Sequence, residues 1–362
     1  MSEARHFDAS LTQDDSFTAT SHAGLSYPLG SFAPGEGKTQ RIADGISWAR
    51  IPMPGSLGHI NSWLLDDHDG VAIVDTGLLL STCSDAWKAL FADALDGVKI
   101  TRIICTHLHP DHIGLAGWLA KRFGVELWMT RSEWLTAKML TTTTPSDAPE
   151  EYITLQRAAG WDDTALEEMR ASGWGRFAKM VFPMPVSYRR MKDGDVLDMG
   201  AHQWRVVVGS GHSPEHACLL NDATGVLVSG DQVLPRISSN VSVNFGEPEA
   251  DSLGEWLASI DRFLTLSDDL TVCPAHGEPF NGLHARLKAL RDEHLQRLDA
   301  VAAAAVSPVR VIDCFPLLFN RKITGENREL ATGEAISHVR RLELEGRLTR
   351  ETRDGVRWYH AA

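Results

Sequence analysis

The segment CTHLHPDHIG at residues 105–114 closes the apolar run KITRIIC with three histidines and an aspartate inside six positions. Such side chains are costly to bury without partners, so a strand that ends in four of them must end at a shared site. In an extended chain His107 and His109, two residues apart, point the same way. Pro110 then forces a turn, and Asp111 and His112 face the same space from the turn and the first helical residues. One segment thus offers two imidazoles to one cation and a carboxylate with an imidazole to an adjacent one. That donor set suits zinc, iron or manganese and disfavours calcium or magnesium. An isolated HxH is more often two ordinary histidines, but HxHxDH is much rarer by chance.

Four donors cannot complete two sites, and three more stand at later strand ends. His212 lies in GSGHSPEH after RVVVG, Asp231 in VSGDQ after GVLVS, and His276 in CPAHGE after LTVC. Each follows an apolar run beside Gly or Pro, where loops that carry function sit. The expected division gives His107, His109 and His212 to a first ion and Asp111, His112 and His276 to a second, with Asp231 bridging them. Water or hydroxide shared by two cations is acidified enough to attack near neutral pH. The reaction class implied is hydrolysis by a metal-bridging hydroxide, which the second oxygen of Asp111 can also steer.

Other polar residues have humbler readings. Asp75 in VDTG is expected to orient a ligand histidine from behind. His216, one turn-like step past His212, reads as a supporting residue, and His59 and Asn61 as lining of a pocket mouth. His202, His284, His294 and His338 read as solvent-facing. Tyr188, Arg189 and Arg190 read as a solvated basic turn before an anion clamp. The five cysteines are scattered without CxxC spacing, which points to reduced thiols and a cytoplasmic protein. Cys105 reads as strand packing.

Around the site the chain alternates. SWLLDD, GVAIVDTG, KITRIIC and VELWMT read as strands, with helices over 84–95 (Ser84 as N-cap) and over IGLAGWLAKRFG, closed by Gly124. Residues 131–190 break that rhythm as a helical insertion, either a lid over the site or packing against the core. DVLDMG, QWRVVVG, ACLLND and GVLVSGD return as strands, followed by helices at 252–266 and 283–305 around the strand TVCPAHG. Two such halves suggest two sheets packed face to face with helices outside. Residues 1–20 read as a flexible leader, 21–305 as the catalytic domain, and 306–362 as a separate unit: a helix and two strands around the turn Arg353-Asp354-Gly355, winged-helix-like in order.

The 362 residues carry a net charge of −13, which argues against a chain built mainly to grip nucleic acid or anionic membrane. No run approaches the roughly 18–20 apolar residues of a membrane span. Residues 308–362 hold ten Arg/Lys against eight Asp/Glu, and the alternation of Arg340, Arg341, Arg347, Arg350 and Arg353 with Glu343, Glu345 and Glu351 reads as a salt-bridged surface.

HLHPDH, GHSPEH, SGDQ and PAHGE, with VDTG upstream, resemble the metallo-β-lactamase superfamily over roughly residues 45–300. The resemblance implies an α/β fold, the four-layer αββα sandwich, with the helical insertion and the C-terminal unit as additions. It implies the same seven ligands, and for Asp75 a hydrogen-bonding place outside the ligand set. An aspartate at position 231 is similar to glyoxalase II-like thioesterases and to nuclease members; true lactamases lack it. The expected cofactors are two divalent ions, zinc first, with iron or manganese as alternatives. The expected activity is hydrolysis of a small acyl thioester or related ester, hydroxyacylglutathione hydrolase-like, with a nuclease acting on single-stranded RNA as the alternative. The partner expected is a small-molecule substrate, with no membrane, nucleic acid less favoured, and self-association left open.

Overall fold

The computed structural model describes residues 18–142, 147–320, 322–325 and 327–362. The leader expected at 1–20 lies, but for its last three residues, outside them. A short hairpin, β1 (Thr20–His22) and β2 (Leu25–Tyr27), precedes two sheets.

The first sheet has seven strands in chain order: β3 (Gln40–Ala43), β4 (Ile46–Pro52), β5 (His59–Asp67), β6 (Gly70–Val74), β7 (Ile100–Ile104), β8 (Leu127–Met129) and β9 (Arg189–Arg190). Pairing is antiparallel from β3 to β6 and parallel from β6 to β9. The second sheet orders β10 (Val196–Met199), β11 (His202–Gly209), β12 (His216–Asn221), β13 (Val226–Gly230) and β14 (Thr271–Pro274), and only β13 and β14 run parallel.

Strand periodicity divides the core into layers. Trp63, Val74 and Ile104 face inward and meet Trp204, Val206 and Leu219 of the second sheet. Their neighbours Leu64, Ile73 and Ile103 point the other way, against Trp87 of α1 (Ser81–Ala92) and Leu119 of α3 (Ala116–Phe123). On the far side, Val207, Leu220 and Val272 pack against α8 (Ser252–Phe263) and α9 (Leu283–Ala304). Helix, sheet, sheet, helix is the expected four-layer sandwich. Trp48 and Trp63 stack at 6.1 Å in its middle, fully buried, where truncation of either costs about 3–5 kcal/mol.

Between β7 and α3 lies α2 (Pro110–Ile113), one turn with Pro110 at its start. The insertion holds α4 (Arg131–Thr142), α5 (Glu150–Ala159), α6 (Asp163–Ala171) and α7 (Arg176–Lys179). After α9 come a 3-10 turn at Val311–Cys314, α10 (Phe315–Leu318), α11 (Arg328–Leu344) and the hairpin β15 (Leu348–Arg353) and β16 (Val356–Ala361). Asp354 and Gly355 make its turn with φ of 50° and 80°, the two positive values that a two-residue hairpin loop requires. The C-terminal elements join the same core as α8 and α9 through Ile336, Val339, Leu342 and Tyr359.

Several elements differ from the sequence reading. Helix α1 starts at Ser81, and Ser84 sits inside it, donating to Ser81 O at 3.0 Å. Within the helical insertion α5 follows the polar run DAPEE, and its apolar face (Tyr152, Ile153) packs on Leu166 and Met169 of α6. The insertion ends as strand: Arg189 and Arg190 join the first sheet beside β8. His294 and His338, expected in solvent, are fully buried where α9 meets α11, and His202 and His284 are half-buried.

Candidate metal centre

All the singled-out donors emerge where strands end. Asp75 follows β6, His107 and His109 follow β7, His212 follows β11, Asp231 follows β13 and His276 follows β14. Ligand sites in open α/β sheets form beyond the carboxyl ends of strands, and here both sheets direct such ends at one place. The loop after β6 fixes α2 within it: Thr76 N–H and Oγ1–H both donate to His112 O, at 2.9 and 2.7 Å, and Gly77 N–H donates to Asp111 O at 2.8 Å.

The seven ligand candidates sort into two groups, His107, His109, His212 with Asp231, and Asp111, His112 with His276, the ligand atoms of each lying within 4.8 Å of one another. In the first, His107 Nε2 is 2.9 Å from His109 Nδ1 and 3.2 Å from His212 Nε2. In the second, His276 Nε2 and His112 Nε2 lie 3.3 and 3.7 Å from Asp111 Oδ2. Asp231 spans both: Oδ2 is 3.5 Å from His212 Nε2, while Oδ1 is 3.5 Å from His276 Nε2 and 3.6 Å from His112 Nε2.

Behind the ring atoms that face the centre, acceptors fix the tautomers. His212 Nδ1–H donates to Asn240 O at 2.7 Å, His276 Nδ1–H to His59 O at 2.8 Å, and His112 Nδ1–H to Asp75 Oδ2 at 2.8 Å. With Nδ1–H held by these acceptors, each ring turns its Nε2 inward. His112 Nε2, His276 Nε2 and Asp231 Oδ1 are buried without a hydrogen-bond partner. Buried polar atoms are rarely left so, and two lone pairs and a carboxylate oxygen converging on one point fit a divalent cation.

The electrostatics divide the rings. Burial opposes charge on His112 and His276, but Asp75 and Asp111 beside the first and Asp231 and Asp111 beside the second outweigh it and raise both above the ordinary histidine range. A cation binding there displaces their protons. Burial and the neighbouring imidazoles hold His107 well below the ordinary histidine range, and His109 is pushed to about 3 by burial and His212. Both rings are neutral at physiological pH. Burial opposes the charge on Asp231, but His276 and His112 outweigh it and hold its carboxyl well below the usual range.

Other expectations meet mixed outcomes. Asp75 takes the orienting role, also accepting from Thr106 N–H at 2.9 Å. His216 supports: its Nε2 accepts from Asp231 N–H at 3.0 Å, with its ring 4.7 Å from that of His107. Asn61 is fully buried, away from any pocket mouth, and its amide donates to Pro274 O and Gly277 O at 2.9 and 2.8 Å. With His59 it braces the His276 loop. Arg189 pairs with Glu126 at 3.1 Å on the sheet edge, and Tyr188 stacks on Trp134 at 4.4 Å. All five cysteines are buried and free. Sequence reasoning missed Glu133, a fully buried carboxylate in the first turn of α4; an acidic residue at a helix start was its only signal.

This fold, with two His/Asp groups sharing a carboxylate, defines a metal-dependent hydrolase. The metallo-beta-lactamase superfamily model matches residues 55–276, and a model of a metallo-beta-lactamase-like C-terminal domain matches 298–362, beginning inside α9. The chain belongs to the metallo-beta-lactamase superfamily. It is 39% identical to a beta-lactamase domain protein from Burkholderia ambifaria, whose crystal structure superposes with a TM-score of 0.85 over 93% of this chain and 98% of that one. A probable metallo-hydrolase of Bacillus subtilis, YqjP, is 23% identical over 324 residues, 83% of this chain and 92% of the relative. An atrochrysone carboxyl ACP thioesterase of Emericella nidulans is 27% identical over 176 residues, 46% of this chain and 53% of its own length. Among the described residues no helix is long and apolar enough to cross a membrane.

Proposed function

We propose that the chain hydrolyses a small acyl thioester or related ester at a two-metal centre. His107, His109 and His212 would hold one ion, Asp111, His112 and His276 the other, and Asp231 would serve both. The observation that carries this is the split of Asp231, whose two oxygens face the two groups separately. Two divalent ions, zinc first and iron or manganese as alternatives, supply Lewis acidity and water of lowered pKa when bound. The chain's own residues do the rest. His112, His212 and His276 are locked in one tautomer by their acceptors. Asp111 is the more accessible carboxylate of the centre, with 17% of its side chain exposed against 11% for Asp231. Burial opposes its charge, and His112 and His276 keep it ionised below the ordinary carboxylate range. At neutral pH it therefore accepts a proton or a hydrogen bond from water entering the cleft.

The substrate class has three supports. The Emericella relative is named as a thioesterase. A cavity of about 330 Å³ is lined by Asn240, Leu318, Phe319, Asn320 and Leu330, half apolar and of a size suited to a small molecule. Asn240 joins it to the outer side of the site: its carbonyl accepts from His212 Nδ1–H, the ring nitrogen turned away from the centre. Among the described residues the cavity's one cation, Arg297, is already engaged by Glu293 and Glu334, so the described lining favours amide and alkyl groups over a phosphodiester track.

The test is thiol release from a panel of acyl-glutathione and acyl-coenzyme A thioesters by metal-reconstituted protein, with Asp111→Ala as blank. Release selective for one acyl group supports the reading. No release above the blank moves the reading to lactone and phosphodiester substrates.

A further inference from the structure

Glu133 is a fully buried carboxylate for which the reaction has no use. Among the described residues it forms no ion pair, and a buried charge without a counter-ion survives only if hydrogen-bond donors surround it. Three donors do. Oε2 accepts from Leu108 N–H at 2.8 Å, and Oε1 accepts from Ser213 Oγ–H and from Glu215 N–H, both at 2.7 Å.

The origin of these donors is the informative part. Leu108 stands between His107 and His109, and Ser213 and Glu215 follow His212. One side chain therefore ties together the two loops that supply every histidine of the first group. The clamp is reciprocal: Glu215 Oε2 accepts from Ser132 N–H at 2.6 Å and Glu215 O accepts from Thr130 Oγ1–H at 2.7 Å, so the second loop also grips the start of α4. Among the described residues no such contact reaches Asp111, His112 or His276, which are braced instead by Asp75, Thr76 and His59.

We infer that Glu133 is a positioning residue for the first metal site alone. It sets the spacing between the His107–His109 loop and the His212 loop, and so the affinity of one ion and the order in which the two are lost. This rests on the two-metal reading of the centre.

The test is metal affinity in Glu133→Gln, with activity secondary. The amide keeps the shape but replaces one acceptor oxygen by N–H, so the donors of one loop face another donor. Cobalt(II) and zinc are titrated against a chelator of known affinity, with cobalt absorption reporting each site and circular dichroism and Tm reporting the fold. Leu342→Ala, a buried residue of α11 outside both loops, serves as a control for general destabilisation. The expected result is a loss of roughly 10- to 100-fold in affinity at one site, an unchanged second site, and unchanged affinities in the control. Glu133→Gln holding both ions as tightly as the parent would overturn the inference, as would equal weakening of both sites. A parent chain that binds fewer than two ions would instead overturn the two-metal reading itself.

Discussion

His112 is held from behind by Asp75, its Nδ1–H donating to Oδ2 over 2.8 Å, and Asp75 occupies that place with a φ of +62°. Aspartate and asparagine tolerate this left-handed conformation better than other side chains, so Asp75→Asn tests the contact without straining the backbone. The single amide oxygen cannot serve both Thr106 N–H and His112 Nδ1–H as the two carboxylate oxygens do. Affinity at the second site should fall by roughly 10- to 100-fold, read by chelator competition, with the first site unchanged.

Asp111→Ala and His112→Ala should each abolish turnover of whichever thioester the parent cleaves. Both lie in the one-turn α2, where Asp111 is partly exposed and His112 is fully buried against Asp75. Circular dichroism should therefore stay near that of the parent in each, with Tm lowered only in His112→Ala, which leaves the Asp75 carboxylate short of a donor. Retained kcat in either variant would contradict their roles.

His294 and His338 give the protein an acid-sensitive core. His338 Nδ1–H donates to Glu334 O at 2.7 Å, leaving its Nε2 to accept from His294 Nδ1 at 3.3 Å. Burial, with His338 and Arg297 adding to it, holds His294 at about 3, and His338 is held at about 4, against an ordinary 6.5. The unfolded chain therefore binds more protons than the folded one below the ordinary value. The stability these neutral rings contribute is complete above about pH 6.5 and drains away as pH falls from there toward the folded values. Replacing both by leucine or methionine should flatten the dependence of urea midpoint on pH between 7 and 5. A slope equal to the parent's would mean that the titrating groups lie elsewhere.

The C-terminal unit should not retain single-stranded RNA. Arg340 is engaged by Glu343, Arg341 by Asp251 and Glu345, Arg347 by Asp299, and Arg350 and Arg357 by Glu249. Cations already paired with carboxylates have little charge left to neutralise phosphates. Filter binding at low salt should show no retention that salt abolishes; steep salt-dependent binding would revive the nuclease alternative.

The strand-end motifs were the most legible part of the chain. Their residue types are improbable after apolar runs, and their spacing alone placed His107, His109, Asp111 and His112 on a strand end and a helical turn, as found. What stayed hidden was carried by long-range contact. His294 continues the buried face of α9 set by Leu287, Leu290, Leu298 and Val301, and that periodicity could have placed it inside; only the fold reveals that His338 meets it. Glu133 looked like any acid in a first turn, because its three donors come from segments about 25 and 80 residues away in sequence.

The central claim is that two ions share Asp231. Elemental analysis with native mass spectrometry of reconstituted protein measures it directly, comparing the parent chain with Asp231→Asn. Two ions per parent chain, and fewer in the variant with its circular dichroism unchanged, is the predicted result. One ion or none per parent chain, or two held equally well without the carboxylate, would contradict the account.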